Sequence, residues 1–370
     1  MHQASVTRSL ISARDVMARL CGRRLCALFG PQHGIAGEKQ DNMIESPHGA
    51  DPDYKIPVYS LYSETRSPTP EMLSGIETLV VDLQDVGTRV YTFEWTTALA
   101  LESCARAGIP VVVLDRPNPL GGLILEGNLI RRGYESFVGL HPVPMRHALT
   151  LGEMAKLVAA RLDARPGQPR CDLTVIPMRG WRRRMSWGAT GLPWVLPSPN
   201  MPTPETACVY PGQVLLEGTN LSEGRGTTRP FEIWGAPWLD AAALEKRFAR
   251  RRLQGLVLRR HDFQPTFHKG AGEVCRGFQI HVTDPARYLP YLTTLCLLQD
   301  VAALHRGTFA WKQPPYEYVT DRLPIDVLSG DPAVREAIES GGDLRALSRS
   351  WAREIREFRK ESREHLLYRA

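Results

Sequence analysis

The 370-residue sequence contains no long apolar run. Its most hydrophobic stretches, such as Ile109 to Leu114, fall far short of the ~18 residues that span a bilayer. Only seven of the 46 basic residues are lysines, and with 40 acids the net charge of +6 is too small to indicate a nucleic-acid-binding surface. Hydrophobic residues make up 43% and charged residues 23%, which excludes a disordered or fibrous chain. We therefore expect neither a membrane nor a nucleic acid as a partner.

Cysteine is present without a recognisable spacing. The seven cysteines are an odd number, no Cys-x-x-Cys occurs, and Cys21 and Cys26 are too widely separated for a zinc knuckle. Several lie in apolar runs, where a buried thiol behaves as a small hydrophobic group. We expect reduced structural cysteines, no disulfide framework and no metal. The first twenty residues hold only scattered apolar positions, so no secretory signal is evident and a cytoplasmic location is expected.

Four signatures of common enzyme classes are also absent. No Gly-x-Gly-x-x-Gly follows a predicted strand, no Walker A lysine is present, and neither His-Glu-x-x-His nor Gly-x-Ser-x-Gly occurs. These absences argue against the usual nucleotide-dependent enzymes, metalloproteases and α/β-hydrolases. We expect no cofactor.

The first two hundred residues alternate between strand and helix patterns. The predicted strands are RLCALFG, IPVYSLY, TLVVDLQDVG, IPVVVLD and CDLTVIPM. Helices are predicted over residues 6–20, from Thr69, over 95–107, and from Thr150, where Glu153 completes a capping box. Buried strands that alternate with helices predict an α/β fold, with a mostly parallel sheet that carries helices on both faces.

A second domain is expected because single hydrophobic cores stop growing at roughly 250–300 residues. Past about Gly235 the pattern changes to two basic stretches, a strand-like run FQIHVTD and an apolar helix over 286–305. A final amphipathic helix carries apolar residues from Leu344 to Phe358. The predicted division is therefore a domain of residues 1–237 and a smaller α+β domain of residues 238–370.

Polar side chains cluster where the predicted strands end, which is where parallel sheets bind their ligands. The candidates are Gln32, His33, Glu38 and Asp41 after LFG; Asp82, Asp85, Arg89 and Tyr91 after LVV; Asp115, Arg116 and Asn118 after VVL; Ser198 and Asn200 in LPSPNMPT; and Glu217, Asn220, Glu223 and Arg225 in LEGTNLSEGRGTTRP. Singly, each has a structural alternative, such as a helix cap at Asp115 or an ion pair at Arg89. Five such clusters of polar side chains favour a ligand site, because buried polar groups cost stability unless they have hydrogen-bond partners. Carboxylates, amides and arginines suit a sugar or another polar small molecule.

The same segments carry a family resemblance. The motifs LFGPQHGIAGE, DLQDVGTRVYT, VVVLDRPNPLGG, LPSPNMPTPET and LEGTNLSEGRGTTRPFEIWGAPW resemble those of the NamZ-type exo-β-N-acetylmuramidases, which are peptidoglycan hexosaminidases. The resemblance extends over nearly the whole chain. It implies a Rossmann-like catalytic domain with an auxiliary C-terminal domain, a muropeptide or other amino-sugar substrate, and release of N-acetylmuramic acid from non-reducing ends. On this interpretation His33, Asp115, Arg116 and Asn200 line the sugar site, and Arg225 suits the lactyl carboxylate of muramic acid.

One departure from the family pattern concerns the chemistry. The muramidases carry a Pro-Glu-His-Gly loop whose glutamate looks catalytic, whereas this chain has Pro31-Gln32-His33-Gly34. Glutamine cannot act as a general acid or base near neutral pH. Glu38 and Asp41 are the nearest carboxyl candidates in sequence, and Glu94 is a weaker one. The alternative is a muropeptide- or sugar-binding protein that does not hydrolyse, with a nucleotide-linked enzyme a distant third.

A second departure concerns the start of the chain. Members of the family usually begin with a strand ahead of the segment that opens this sequence, so the first strand is expected to be missing. Because each strand of a parallel sheet pairs with neighbours on both sides, a gap is expected beside the RLCALFG strand.

Overall fold

The computed structural model describes residues 1–40 and 43–370. Asp41, one of the predicted catalytic residues, lies outside the described residues. The helices of the N-terminal half are α1 (Ala13–Cys21), α2 (Phe93–Ala107), α3 (Leu151–Asp163) and α4 (Pro204–Gln213). Its strands are β1 (Leu28–Gly30), β2 (Gly49–Ala50), β3 (Pro57–Ser60), β4 (Leu79–Val81), β5 (Val111–Leu114) and β6 (Leu173–Ile176).

These six strands form two sheets. Strands β4, β5 and β6 are parallel in that order, with Val80 opposite Val112 and Val112 opposite Thr174. The other sheet has the order β1-β3-β2, in which β1 and β3 are parallel and β2 is an antiparallel edge. Among the described residues, β1 and β4 do not pair with each other. The Met1 ammonium lies near the β1 edge and donates to the Phe29 carbonyl at 3.2 Å.

Local sequence explains where the helices that pack on this sheet start and stop. Helix α3 begins with the predicted capping box, because the Thr150 hydroxyl accepts from the Glu153 amide and the Glu153 carboxylate accepts from the Thr150 amide. Helix α2 ends at Gly108, whose φ of 67° is a left-handed conformation that glycine adopts without cost. Both predicted boundaries are confirmed.

The C-terminal half is built on an antiparallel sheet. Its strands are β7 (Ile233–Ala236), β8 (Leu256–Arg260) and β9 (Arg276–Val282), in the order β7-β9-β8. Its helices are α5 (Ala241–Ala249), α6 (Pro290–Leu304), α7 (Pro324–Ser329), α8 (Pro332–Glu339), α9 (Leu344–Ser350) and α10 (Ala352–Ser362). One continuous cluster of buried apolar side chains runs from Phe29 in β1 to Phe358 in α10, so the two halves share a core.

The predicted fold class is confirmed: a parallel sheet with helices is joined to a smaller α+β part. Three helix predictions were wrong in detail. The first helix begins at Ala13 instead of residue 6, the segment after Thr69 forms turns, and the last helix is interrupted at Trp351. The domain division at residue 237 stays a prediction. Strand β7 precedes this point in the chain and pairs with β9, which follows it.

Two further expectations concern the whole chain. All seven cysteines are free thiols, as expected. Within the described ranges, none of the helices combines the length and the apolarity that a bilayer crossing requires.

Candidate active site

A small pocket lies where the two halves meet, and both halves contribute polar side chains to it. Its free volume is about 30 Å³, room for about one water molecule, so a sugar enters only if the lining side chains shift. The polar lining residues are Gln32, His33, Tyr91, Thr92, Ser198, Asn200, Tyr210, Glu217, Arg225, Tyr316 and Glu317. Seven of these were predicted as site residues, so the structure brings together side chains from four separate predicted loops.

Gln32 lies in a chain of hydrogen bonds at one side of this pocket. The Thr92 hydroxyl donates to Gln32 Oε1 at 2.6 Å, which turns the amide nitrogen towards Glu317. Gln32 Nε2 donates to Glu317 Oε1 at 3.2 Å, and the Tyr62 hydroxyl donates to Glu317 Oε2 at 2.8 Å. The Pro-Gln-His-Gly loop thus presents an amide directly to a buried carboxyl from the other half of the chain.

Glu317 has an unusual backbone as well as an unusual environment. Its φ is 44° and that of Tyr318 is 66°, and across the pocket His33 has a φ of 72°. Left-handed backbone at residues other than glycine costs free energy and is concentrated at functional sites. Burial raises the pKa of Glu317 to about 6, and nearby Glu217 adds to the rise, while hydrogen bonds from Tyr62 and Gln32 oppose it.

A second carboxyl, Glu217, faces a cation. Arg225 donates to Glu217 Oε1 at 2.6 Å, and the Tyr316 hydroxyl donates to Glu217 Oε2 at 2.6 Å. Arg225 also contacts the carboxylate of Glu223, with Nε 3.2 Å from Oε1. The guanidinium that the sequence analysis assigned to a substrate carboxylate is therefore already held between two protein carboxylates.

Glu223 lies behind this pair and does not line the pocket. It is fully buried, with Lys269 Nζ 2.7 Å from Oε2 and His268 Nδ1 3.2 Å from Oε1. Burial opposes ionisation, but Lys269, together with His268 and Arg225, holds the pKa of Glu223 below its usual range. Its carboxylate stabilises the cations around it and cannot donate a proton.

The remaining pocket residues present hydrogen-bonding groups. His33 Nδ1 donates to the Lys39 carbonyl at 2.8 Å, and Asn200 Nδ2 donates to the Gln40 carbonyl at 2.5 Å. Burial raises the pKa of Tyr91 well above its usual range, so the phenol stays neutral. These groups suit the hydroxyl and amide groups of a sugar.

Other predicted residues line a separate, larger cleft of about 540 Å³ at the carboxyl ends of β4 and β5. Asp82 and Arg116 are ion-paired with each other there. Asp115 accepts from the Thr150 hydroxyl at 2.7 Å, the Gly152 amide and the Tyr368 hydroxyl, so it caps α3 as the structural alternative proposed. The structure therefore does not bring Asp82, Asp115 and Arg116 into the Gln32 pocket.

Several predicted substrate contacts are structural instead. Arg89 has no exposed surface, and its guanidinium donates to the carbonyls of Asn128, Val143, Leu328 and Ser329. Asn118 is buried and donates to the Leu149 carbonyl at 2.8 Å. Asn220 bonds to the backbone of Thr308 and Ala310 outside the pocket. These three side chains are committed to holding loops together.

Glu38 also falls outside the pocket. Its side chain is 54% exposed, and its carboxylate lies 4.0 Å from Lys39 Nζ. A surface carboxyl is not placed to protonate a sugar held in the Gln32 pocket. The structure therefore does not bring Glu38, the predicted acid, into the Gln32 pocket.

Asp85, Glu94 and His147 form a buried cluster that could in principle hold a metal ion, with atoms of ligand type within 4.8 Å of one another. The Leu149 amide donates to His147 Nδ1 at 3.2 Å, so the proton of the neutral ring resides on Nε2, 3.2 Å from Glu94 Oε2. That nitrogen has no lone pair to offer a cation. Burial raises the pKa of Asp85 to about 7 and lowers that of His147 to about 3, so the cluster is largely neutral.

An α/β protein with a pocket lined by two carboxyls, an arginine and several amide and hydroxyl groups has the features of an enzyme that acts on a polar, hydroxyl-rich substrate. Two family models cover the chain: the N-terminal part of exo-β-N-acetylmuramidase NamZ matches residues 1–205, and its C-terminal part matches residues 208–368. The chain belongs to the NamZ family.

Relatives agree with this assignment. The chain is 41% identical to the peptidoglycan β-N-acetylmuramidase NamZ of Bacillus subtilis (strain 168) over 367 residues, which are 99% of this chain and 85% of that protein. Crystal structures of two DUF1343 family proteins of Bacteroides fragilis NCTC 9343 resemble it over its full length and over 92% of each of those chains. One has a TM-score of 0.87 and 33% identity, and the other has a TM-score of 0.73 and 25% identity.

The sequence analysis did not identify Glu317 as a residue of this pocket. It lies in the segment PPYEY, which follows no strand of the parallel sheet and is 285 residues from its partner Gln32. The remaining signal was modest: two prolines followed by alternating aromatic and acidic residues indicate an ordered loop but not its position.

Proposed function

We propose that this protein is a glycoside hydrolase that releases N-acetylmuramic acid from the non-reducing ends of peptidoglycan fragments, and that the sugar binds in the Gln32 pocket. The observation that carries this proposal is the convergence of family-motif residues on one pocket. Three separate segments each place two side chains in its lining: Gln32 and His33, Ser198 and Asn200, and Glu217 and Arg225. Membership of the NamZ family supplies the substrate class.

The non-hydrolytic alternative is favoured by one observation, the amide at position 32. A binding protein would retain the hydrogen-bonding groups of His33 and Asn200 but would not turn its ligand over. Turnover of a muramide is the property that separates the two functions.

The experiment compares release of nitrophenol from a nitrophenyl β-N-acetylmuramide with release from the matching N-acetylglucosaminide. We expect turnover of the muramide and little turnover of the glucosaminide, whose sugar lacks the lactyl group. Muramide binding without any release, measured by calorimetry on the same preparation, would instead establish the binding protein.

Asn200→Ala tests whether this pocket is where turnover occurs. Loss of one hydrogen bond to the sugar is worth about 1 kcal/mol, so we expect kcat/KM for the muramide to fall roughly five- to tenfold. The matched control is Asn220→Ala, since Asn220 bonds only to backbone atoms outside the pocket and its loss should leave kcat/KM unchanged. Equal effects of the two variants would place the sugar elsewhere.

A further inference from the structure

We propose that Glu317 is the catalytic acid of this protein: its buried carboxyl, held between Gln32 and Tyr62, protonates the glycosidic oxygen of the bound amino sugar. This proposal rests on the proposed function. It assigns the proton-transfer role to a residue in the C-terminal half, at the point where the amide of Gln32 cannot fill it.

The position of Glu317 suits a catalytic acid. Glu317 is 4% exposed and lines the same pocket as His33, Asn200 and Glu217. Both of its carboxyl oxygens are held by named donors, Gln32 Nε2 at 3.2 Å and the Tyr62 hydroxyl at 2.8 Å. A general acid needs a fixed orientation, and these two contacts hold the carboxyl in one position.

The other carboxyl of the pocket is less suited to donate a proton. Of the described residues that line the pocket, only Glu217 and Glu317 carry one. Glu217 is held by the Arg225 guanidinium at 2.6 Å, an arrangement that suits a permanent anion. In the described part of the chain Glu317 forms no ion pair, and its carboxyl oxygens accept from the neutral side chains of Gln32 and Tyr62. The charge of Arg66 favours the ionised form of Glu317, but burial has the larger effect and raises the pKa, so Glu317 is the carboxyl that can hold a proton.

The proton affinity of Glu317 also suits a catalytic acid. Burial raises the pKa of Glu317 to about 6, which leaves part of the population protonated near neutral pH. A catalytic acid works best when its pKa lies near the working pH. The amide at position 32 is neutral, so Glu317 is the only group of this hydrogen-bonded pair that titrates.

The proposed step is balanced without any co-reactant other than water. The proton of Glu317 passes to the glycosidic oxygen as the bond from that oxygen to the anomeric carbon breaks. A water oxygen bonds to the anomeric carbon and releases one proton to solvent, and the Glu317 carboxylate takes a proton back from solvent. The products are free N-acetylmuramic acid and an alcohol.

Glu317→Gln tests the proposal with two substrates that differ in their need for protonation. The first substrate is a disaccharide with N-acetylmuramic acid at its non-reducing end. Its leaving group is poor, so removal of the acid should lower kcat for this substrate by ~10²–10⁴. A dinitrophenyl muramide loses a stable anion without protonation, and its kcat should fall by less than about tenfold. Glu38→Gln, which changes a surface carboxyl in the same way, should leave both rates unchanged.

Tyr62→Phe gives a second measurement that does not remove Glu317. The hydrogen bond from Tyr62 favours the ionised carboxyl, so its loss should raise the pKa of Glu317. In the wild type, kcat/KM for the disaccharide should fall as the pH rises above about 6, and in Tyr62→Phe this fall should move to higher pH. A merely structural role for Tyr62 would lower the rate without moving the profile.

The outcomes separate the two proposals. Suppose that the wild type hydrolyses the muramides, that Glu317→Gln lowers kcat for both substrates by the same factor or for neither, and that the pH profile of Tyr62→Phe does not move. Glu317 is then not the acid, while the hydrolase function stands. If the wild type hydrolyses neither substrate, the proposed function itself is overturned, and a catalytic role for Glu317 is overturned with it.

Discussion

The side chain at position 32 determines whether the pair that it forms with Glu317 contains one titratable group or two. Gln32 bonds to Glu317 through its amide, so the pair carries one titratable group. A glutamate at position 32 would place two carboxyls about as close as the present 3.2 Å contact, and two such groups do not both ionise. The pair would then share a proton over a wider pH range than Glu317 alone.

We therefore expect Gln32→Glu to raise hydrolysis of aryl muramides at neutral pH and to move the fall of kcat/KM to higher pH. The measurement is a pH–rate profile of wild type and variant, with folding checked by circular dichroism. An unchanged rate together with an unchanged profile would mean that position 32 is not where this protein performs its chemistry.

Individual site residues were predictable from the sequence only when their segment carried a recognisable motif. Gln32, His33, Ser198 and Asn200 follow family motifs, and the pocket contains all four. Arg89 belongs to an equally clear motif, yet its side chain points into the core, where four carbonyls surround it. A motif identifies residues that matter, but direct contact with a ligand depends on side-chain direction, which only the packed structure determines.

At the scale of elements, local patterns predicted strands and capped helices well because the forces involved are local. The capping box at Thr150 and the left-handed Gly108 act within one turn of helix. The segment after Thr69 has a proline and an acid where a helix would start, but it lacks the length to propagate one and forms turns. Whether two distant strands pair has no local signal in the sequence. The placement of β1 and β4 in different sheets is an example.

The Met1 amine is buried beside β1, and this position makes stability depend on pH. Burial lowers the pKa of the Met1 amine from 8.0 to about 6, so the folded chain holds fewer protons than the unfolded chain between these values. Stability should therefore rise with pH over this range and fall as the pH drops towards 6.

An added strand of about five apolar residues ahead of Met1 would move the amine away from this buried place and offer backbone partners to β1 and β4. We expect the extended chain to have a higher melting temperature, with the larger gain near pH 6. Differential scanning calorimetry near pH 6 and pH 8 measures both effects. A polar extension of the same length is the control, and equal melting temperatures for all three chains would contradict the expectation.

At the scale of the whole molecule, the pocket depends on contact between the two halves. Gln32 and Asn200 belong to the first half, while Glu217, Arg225 and Glu317 come from later segments, and the apolar core is continuous between them. Sequence reasoning anticipated two parts and their fold class, but it searched for the site within the parallel-sheet part alone. Contacts between residues hundreds of positions apart arise from the packing of the halves, which no local pattern encodes.

Arg89 is the clearest polar link between the two halves of the chain. Its guanidinium donates to Asn128 and Val143 in the first half and to Leu328 and Ser329 at the end of α7. Burial lowers the pKa of Arg89 to about 10, so the side chain remains charged at neutral pH. Arg89→Met keeps most of the volume but leaves four carbonyls without this donor, and hydrogen bonds from a charged group are worth about 1.5–3 kcal/mol each.

We expect Arg89→Met to lower the free energy of unfolding by roughly 3 kcal/mol or more, measured from urea transitions followed by tryptophan fluorescence. The control is Arg131→Met, because Arg131 is 57% exposed and its 3.3 Å pair with Asp331 should contribute less than about 1 kcal/mol. Since Arg89 does not line the pocket, the folded variant should keep the wild-type KM for the muramide. A raised KM at unchanged stability would restore Arg89 to the substrate contacts that the sequence first suggested, whereas a lowered midpoint at constant KM identifies it as the link that holds the two walls of the pocket together.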